Sequence, residues 1–279
     1  MPTLQRSPIE RAGRPPDRGL PLVRHPPAKA HADLVYLARE MQLAGQTVLV
    51  IGGSSGVGLA IARRAHEDGA KVIITARDPE RVQRAGLELD GSIAAFDATD
   101  FHRLGRFFDA LRTPIDHVLV TGPGHYAVPL TEFDVAEARR DLEVHLLLPL
   151  QVAHLAVNKI RSRGTLLFTG CTDGRHAIAG LAFISAITAA LAVLTKNLAA
   201  ELAPIRVNVI AAGFVDTRGS AATLGDRLST RREQLAATLP IRRVVGPDDI
   251  AALAVHLMTN TAITGGTFEI DGGQQLVEH

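Results

Sequence analysis

Short apolar runs alternate with stretches of helical period along most of the chain. Val48–Ile51, Lys71–Thr75, Ser92–Phe96, His117–Thr121, Thr165–Thr169, Ile205–Ile210 and Thr267–Ile270 read as buried strands. Between them lie segments of helical character: one opened by Leu59, Ala60, Ile61, Ala62 and Ala65, then Pro79–Leu87, Phe101–Leu111, a long helix over about Val135–Ile160, Ala182–Leu202, a helical excursion over Ser220–Leu239, and Pro247–Met258. A short helix over Ala32–Leu43 leads into the first strand. This alternation predicts an α/β fold: a Rossmann-type, doubly wound parallel sheet in three layers, one domain over residues 32–279, with right-handed crossovers. Ligands of such sheets sit at the carboxyl ends of the strands, so the residues just after each strand are the ones to question.

Residues 1–31 follow no such period. Pro2, Pro8, Pro15, Pro16, Pro21, Pro26 and Pro27 stand among Arg6, Arg11, Arg14, Arg18, Arg24 and Lys29, opposed by Glu10 and Asp17. Proline removes donors and breaks helices, so this segment is expected to be a flexible, Pro/Arg-rich arm. It has neither the apolar core of a secretory signal nor the amphipathic, Ser-rich character of a transit peptide.

Composition adds exclusions. The net charge of +1 gives no reason to expect a nucleic-acid surface. No apolar run reaches the ~18 residues of a membrane span, so no membrane partner is expected. Cys171 is the one cysteine, which rules out an intrachain disulfide and suggests a reducing, cytoplasmic setting. With no Trp, two Tyr and nine Phe, the core must be built of Ala, Val, Leu and Ile, as in helices packed closely on a parallel sheet.

The chemistry begins after the first strand, at Gly52-Gly53-Ser54-Ser55-Gly56-Val57-Gly58. Strand, glycine-rich turn and helix together place backbone N–H groups and a helix N-terminus against a phosphate. Glycine is needed there because a Cβ would block the approach of a pyrophosphate and the packing of helix on strand. Glycine loops also occur as plain turns, and it is the position between strand and helix that favours a phosphate site. Ala76-Arg77 follows the second strand, where an NAD enzyme often carries an acid for the ribose 2′-hydroxyl; a guanidinium suits a 2′-phosphate instead, so NADP(H) is favoured over NAD. Against that stands the reading of Arg77 as a solvated charge, and of Asp97 as a helix N-cap.

The glycine spacing is G-x-x-x-G-x-G, from Gly52 to Gly58, and with Ser-Ser inside it resembles the short-chain dehydrogenase/reductase family. Ala212-Gly213-Phe214-Val215-Asp216-Thr217 resembles that family's P-G-x-V-x-T segment, and the stretches from Val244 to Ile250 and from Ile263 to Gly273 resemble its C-terminal signature. The resemblance covers about Gly45 to Val277. It implies cofactor contacts at Gly52, Ser54, Ser55, Gly56, Val57, Gly58, Arg77, Asp97, Gly122, Val215 and Thr217. It also implies pairing of the two long helices across subunits, into a homodimer or homotetramer.

The family's catalytic set departs. The resemblance implies an Asn, a Ser, and a Tyr and Lys spaced Y-x-x-x-K, because hydride transfer to a carbonyl creates an alkoxide that needs a proton donor. Aligning Ala189-Ala190-Leu191 puts Ile184 at the Tyr position and Thr188 at the Lys position. Cys171 then stands for the Ser and His145 for the Asn, and the motif after the fourth strand becomes Thr121-Gly122-Pro123-Gly124. Candidates left near the strand ends are Tyr126 and His145 as proton donors, with Cys171, Asp173 and His176 after the fifth strand; a Cys–His nucleophile is conceivable, but such a Cys is more often a small buried residue. No acid, Cys or His spacing matches a metal site. Two functions therefore compete. One is an NADP(H)-dependent oxidoreductase acting on a small apolar carbonyl or alcohol with an altered proton donor; the other is a non-redox enzyme or a cofactor-binding subunit on the same fold.

Overall fold

In the computed structural model, residues 41–112, 114–172 and 178–277 are described. The N-terminal arm lies outside them, as does the helix expected over Ala32–Leu43 apart from its last residues, of which Gln42 and Leu43 lie in a turn.

Seven parallel strands form one sheet: β1 (Thr47–Ile51), β2 (Lys71–Ala76), β3 (Ser92–Ala95), β4 (Ile115–Val120), β5 (Ile160–Cys171), β6 (Arg206–Ala212) and β7 (Thr267–Ile270). Their order is β3-β2-β1-β4-β5-β6-β7, so the winding reverses between β1 and β4. The helices are α1 (Gly56–Glu67), α2 (Pro79–Glu88), α3 (Phe101–Ala110), α4 (Val135–Leu142), α5 (Leu148–Ala156), α6 (Ala182–Glu201), α7 (Arg218–Leu224), α8 (Arg227–Thr238) and α9 (Pro247–Thr259). This is the doubly wound α/β fold that the alternation predicts.

Both faces of the sheet are covered, which is why its strands are apolar without alternation. Val48 and Val50 of β1 point to one side, with Ile61 and Ala65 of α1, Val82 of α2 and Ala254 of α9. Leu49 and Ile51 point to the other, with Leu104 and Phe108 of α3, Val152 of α5 and Leu198 of α6. Small residues let the helices approach the sheet closely.

Two expectations need correction. The long helix over Val135–Ile160 is α4 and α5 joined by a π-helical turn at Glu143–Leu147, and it ends at Ala156; Ile160 already belongs to β5. After the buried Ile160, β5 runs through Arg161-Ser162-Arg163-Gly164, and the ladder to β4 shifts register there, so the apolar run marked only the strand's second half. Among the described residues, α6, of 20 residues with a mean hydropathy of 1.6 over an 18-residue window, is long and apolar enough by length and composition alone to cross a membrane. Thr188, Thr195, Lys196 and Asn197 interrupt its apolar run, and in the fold it buries Ile184, Ile187, Leu191 and Leu198.

Two buried polar side chains tie the far end of the sheet. The Arg206 guanidinium donates to the carbonyls of Leu257 (2.6 Å), Met258 (2.6 Å), Asn260 (3.1 Å) and Ile263 (3.3 Å), closing the last turn of α9 with a cation where the helix dipole favours one. His117 on β4 places its Nε2 2.6 Å from Gln46 Oε1 while its Nδ1 is buried without a partner. Burial first, and the Arg206 charge second, push its pKa down to about 3. The folded state therefore resists a proton that the unfolded chain binds near pH 6.5. Stability contributed by the neutral ring is full above that pH and is lost as pH falls toward 3, by up to about 1.4 kcal/mol per pH unit. Urea unfolding between pH 7.5 and 4.5, in the intact protein and in His117→Leu, should show a shallower acid loss in the variant by about one proton's slope.

Candidate functional site

The glycine turn lies at the carboxyl end of β1, beside the point where the winding reverses. Gly52 has φ +87°, and a Cβ on it would lie 2.4 Å from Thr121 Oγ1; a Cβ on Gly58 would lie 2.4 Å from the Gly52 carbonyl oxygen. The N–H groups of Gly52 and Gly53 donate to the Thr75 carbonyl at 2.9 and 3.1 Å, and the Thr121 hydroxyl donates to the carbonyls of Ile51 and Gly52 at 3.1 and 3.2 Å. The turn is thus pinned to the ends of β2 and β4. Gly56 differs: its φ is +53°, and a Cβ there would meet nothing nearer than Thr217 at 3.7 Å. Ser55 caps α1 in an extended conformation without a side-chain hydrogen bond to the first turn. Its hydroxyl and the first N–H groups of α1 are therefore not tied up by a capping bond, as a pyrophosphate site requires.

The other expected cofactor residues surround this turn. Arg77, exposed just past β2, makes no hydrogen bond or ion pair among the described residues. Asp97 accepts from Thr99 N and Thr99 Oγ1 at 3.0 and 2.8 Å, while the N-cap of α3 is Asp100, accepting from Arg103 N at 3.0 Å. Asp97 is therefore not the helix cap. Thr217, across from Gly56, caps α7 in a reciprocal box with Ser220, and Val215 bridges to Val245. Val57, in the first turn of α1, packs against the core, and Ser54 is half-buried in the turn. Gly122 follows Thr121, and a Cβ on it would lie 2.8 Å from the His145 ring.

Beyond Gly122 the ends of β4 and β5 hold a polar cluster. His125 Nδ1 lies 3.4 Å from Asp141 Oδ2, and Tyr126 N donates to Asp141 Oδ1 at 3.1 Å. The rings of His125 and His145 stack, 3.7 Å between centroids and 27° between planes. His145 Nε2 is 3.3 Å from Asp141 Oδ1 but aligned with it too poorly for a hydrogen bond. Cys171 Sγ meets Thr188 Oγ1 at 3.1 Å, and the Cys171 side chain is also a hydrogen-bond partner of His125. Ile184 is buried one turn before Thr188 on α6.

One carboxylate cannot hold two imidazolium ions in a buried stack, and the two rings separate accordingly. Burial opposes charge on His125, but hydrogen bonds to Asp141 and Cys171 outweigh it and lift its pKa to about 9. Burial, reinforced by the His125 charge, pushes His145 down to about 4. Asp141 is desolvated too, yet the hydrogen bond from His125 and the neighbouring histidine charge hold its pKa low. At neutral pH the cluster is an Asp141–His125 ion pair with a neutral His145 laid against it.

Sequence spacing pointed to no metal set, whereas the fold brings His125, Asp141 and His145 within 4.8 Å of one another. Imidazole lone pairs lie in the ring planes, and planes only 27° apart run side by side rather than meeting at one ion. The arrangement suits sharing of a proton. Tyr126 is fixed elsewhere: its hydroxyl accepts from Asp134 N at 2.8 Å and donates to the Glu132 carbonyl at 3.3 Å. Asp173 and His176 lie outside the described residues. His125 and Asp141 are the residues that sequence reasoning missed.

A glycine turn of this geometry, at the reversal point of a doubly wound sheet, belongs to the dinucleotide-binding class of Rossmann folds. Comparison with known proteins narrows the class. The family model described as "Enoyl-(Acyl carrier protein) reductase" matches residues 51–275. Dehydrogenase/reductase SDR family member 4 of Sus scrofa is 32% identical over 251 residues, 84% of this chain and 89% of that protein. The short-chain dehydrogenase/reductase ATR9 of Stachybotrys chlorohalonatus is 29% identical over 249 residues, 82% of this chain and 96% of that one. A short-chain dehydrogenase of Burkholderia cenocepacia, solved in complex with NADP, superposes with a TM-score of 0.76 at 28% identity, covering 84% of this chain and 99% of that one. The protein belongs to the short-chain dehydrogenase/reductase family.

The two glycine contacts separate fold from binding. Gly58→Ala should lower the melting temperature, by overpacking of about 1–3 kcal/mol against the Gly52 carbonyl. Gly56→Ala makes only ordinary contact with Thr217 at 3.7 Å and should cost only the ~1 kcal/mol of a left-handed backbone while weakening dinucleotide binding strongly. Thermal unfolding beside a cofactor fluorescence titration checks both.

Proposed function

We propose that this protein is an NADP(H)-dependent oxidoreductase that interconverts a small apolar carbonyl compound and its alcohol, through a site in which His145, Cys171, Ile184 and Thr188 occupy the family's Asn, Ser, Tyr and Lys positions. The observation that carries the reading is the pairing of two features at adjacent strand ends. The start of α1 has an open glycine position and no side-chain cap, and Arg77, exposed and without an ion pair among the described residues, stands just past β2. The first suits a pyrophosphate; the second suits the extra phosphate of NADP(H), which a guanidinium holds bidentately. The family's neighbour of known structure with bound NADP supports the same cofactor. When bound, NADPH supplies a hydride equivalent for a carbonyl carbon. The chain's part is to hold the phosphates at Ser55, Gly56 and Arg77, to orient the substrate past Gly122, and to manage the proton on the substrate oxygen. Ile184, an apolar side chain at the position of the family's phenol, and the Cys171–Thr188 contact leave that proton to other groups. The single cysteine accords with a cytoplasmic location.

The test is a titration with NADPH and NADH, followed by turnover with a panel of ketones and aldehydes. Tighter binding of NADPH is expected, and Arg77→Ala should weaken NADPH about ten- to a hundred-fold with little change for NADH, the size of a lost charge-assisted contact. Equal affinity of the intact protein for both cofactors would remove the assignment.

The assembly follows from an apolar groove between the π-helical turn, α5 and α6, lined by Leu146, Leu147, Leu150, Ala189, Val193 and Leu194. Leu147, Leu150 and Val193 are 39%, 44% and 59% exposed, although helix faces of this composition favour burial. We propose that a second copy covers this face about a twofold axis, as the family's helix pairing implies. Light scattering should give at least twice the 29.7 kDa of one chain, and Val193→Glu with Leu150→Glu should return it to one.

A further inference from the structure

We infer that His125 is the proton-transfer residue of this site, held by Asp141, and that it takes the role which the family gives to a tyrosine. The inference rests on the oxidoreductase reading above.

The geometry singles out His125 among the groups at the strand ends. It stands on the segment leaving β4, immediately after Gly122, Pro123 and Gly124, three small or short residues that are themselves exposed. Its side chain keeps 12% exposure, against 6% for His145, so of the two stacked rings it is the one a ligand reaches. Asp141 fixes it from α4 and is itself fixed by Tyr126 N, so the carboxylate cannot swing away without breaking the loop's own hydrogen bond. Tyr126 has its hydroxyl tied to two backbone groups of its own loop, Asp134 N and the Glu132 carbonyl, whereas His125 is held by the side chains of Asp141 and Cys171, and the buried Nε2 of His145 has no hydrogen-bond partner.

Among the described residues, the titratable groups facing His125 are Asp141 from α4, His145 from the π-helical turn and Cys171 from β5; α6 adds the neutral Thr188 hydroxyl, bonded to Cys171. One of these is an anion that pairs with His125, and His145 stays neutral beside it. The proton on His125 is therefore retained at neutral pH yet bound weakly enough to be given to an alkoxide, a far stronger base. In the reducing direction the carbonyl carbon accepts a hydride, and the electron pair of the C=O π bond moves to oxygen. The oxygen takes the proton from the His125 ring nitrogen that does not face Asp141, as that N–H bond breaks and an O–H bond forms, while Nδ1 keeps its proton toward the carboxylate. The ring is left neutral beside the Asp141 carboxylate and recovers a proton from water. In the oxidising direction each transfer runs backward, with the neutral ring as base.

The experiment uses the full chain with NADPH and an accepted ketone, the variants His125→Gln and Asp141→Asn, and NMR titration of the histidine ring protons in the intact protein. The reduction rate of the intact protein should fall as pH rises through about 9, where His125 loses its proton. His125→Gln should lower kcat by about a hundred-fold or more, abolish that limb of the profile and leave NADPH affinity unchanged. Asp141→Asn should move the same limb, and the His125 ring titration, to lower pH, which a merely structural role for Asp141 would not do. A His125→Gln protein that binds NADPH and keeps its rate and pH profile overturns the inference alone. An intact protein whose His125 titrates at or below the ordinary histidine value overturns it too, even where the variant fails to fold. If the intact protein binds NADPH but turns over no carbonyl, the oxidoreductase reading falls and takes this one with it.

Discussion

The structure turns on a contact that no side chain could survive. Gly58 lies so close to the Gly52 carbonyl that a single added carbon would sit 2.4 Å from its oxygen. That approach lets α1 start directly over the end of β1. Thr121 and Thr75, from the strands on either side, then fasten the same few backbone atoms. Three strand ends and one helix start are thereby fixed relative to each other at the place where the winding reverses. The concavity that results follows from packing: the sheet cannot close there, because its crossovers leave on opposite faces. Everything that faces this concavity, from Arg77 to Thr217, inherits its position from it.

The polar cluster beyond Gly122 obeys a different constraint, that of charge under limited solvation. A lone imidazolium at that depth would lose its proton, and a lone carboxylate would gain one. Together, Asp141 and His125 remain ionised, while burial, reinforced by the His125 charge, keeps His145 neutral. The charge of each ring is thus set by its hydrogen bonds and not by distance: both rings lie within 3.4 Å of the carboxylate, and only His125 is hydrogen-bonded to it. Gly122 contributes by omission, since a side chain there would press on the His145 ring and spread the stack.

What could be read from the sequence was what is contiguous. Each strand carries a short apolar run, unbroken and buried in β1, so β1, β2, β3, β4, β6 and β7 were legible within two residues of their bounds, and the glycine turn lies within seven consecutive residues. The polar stretch after Ile160 in β5 was hidden because Arg161, Ser162 and Arg163 lie in the strand without being buried in it. The join between α4 and α5 was hidden because a π-helical turn keeps an apolar helical pattern and changes only its phase. His125 and Asp141 were hidden for a deeper reason. They come from a loop and a helix sixteen positions apart, and neither carries a local signature; their meaning is created by the fold that stacks one ring on another. Asp97 and Asp100 illustrate the same limit on a smaller scale, since two aspartates at the start of one helix divide the turn and the cap between them.

The π-helical turn at Glu143–Leu147 has a consequence for how this chain tolerates lengthening and shortening. Such a turn is an α-helix carrying one surplus residue. Deleting one residue of it would restore regular winding and leave α4 and α5 in nearly the same rotational phase, because its wider winding turns about as far in five residues as an α-helix does in four. A deletion within α4 or α5 has no such reserve and would rotate one side against the other by about 100°. Asp141 lies before the turn and Leu148 and Val152 after it. Loss of one residue at Glu143–Leu147 is therefore expected to leave the carboxylate and the core side of α5 facing as they do, whereas the same loss inside α5 would turn that core side outward.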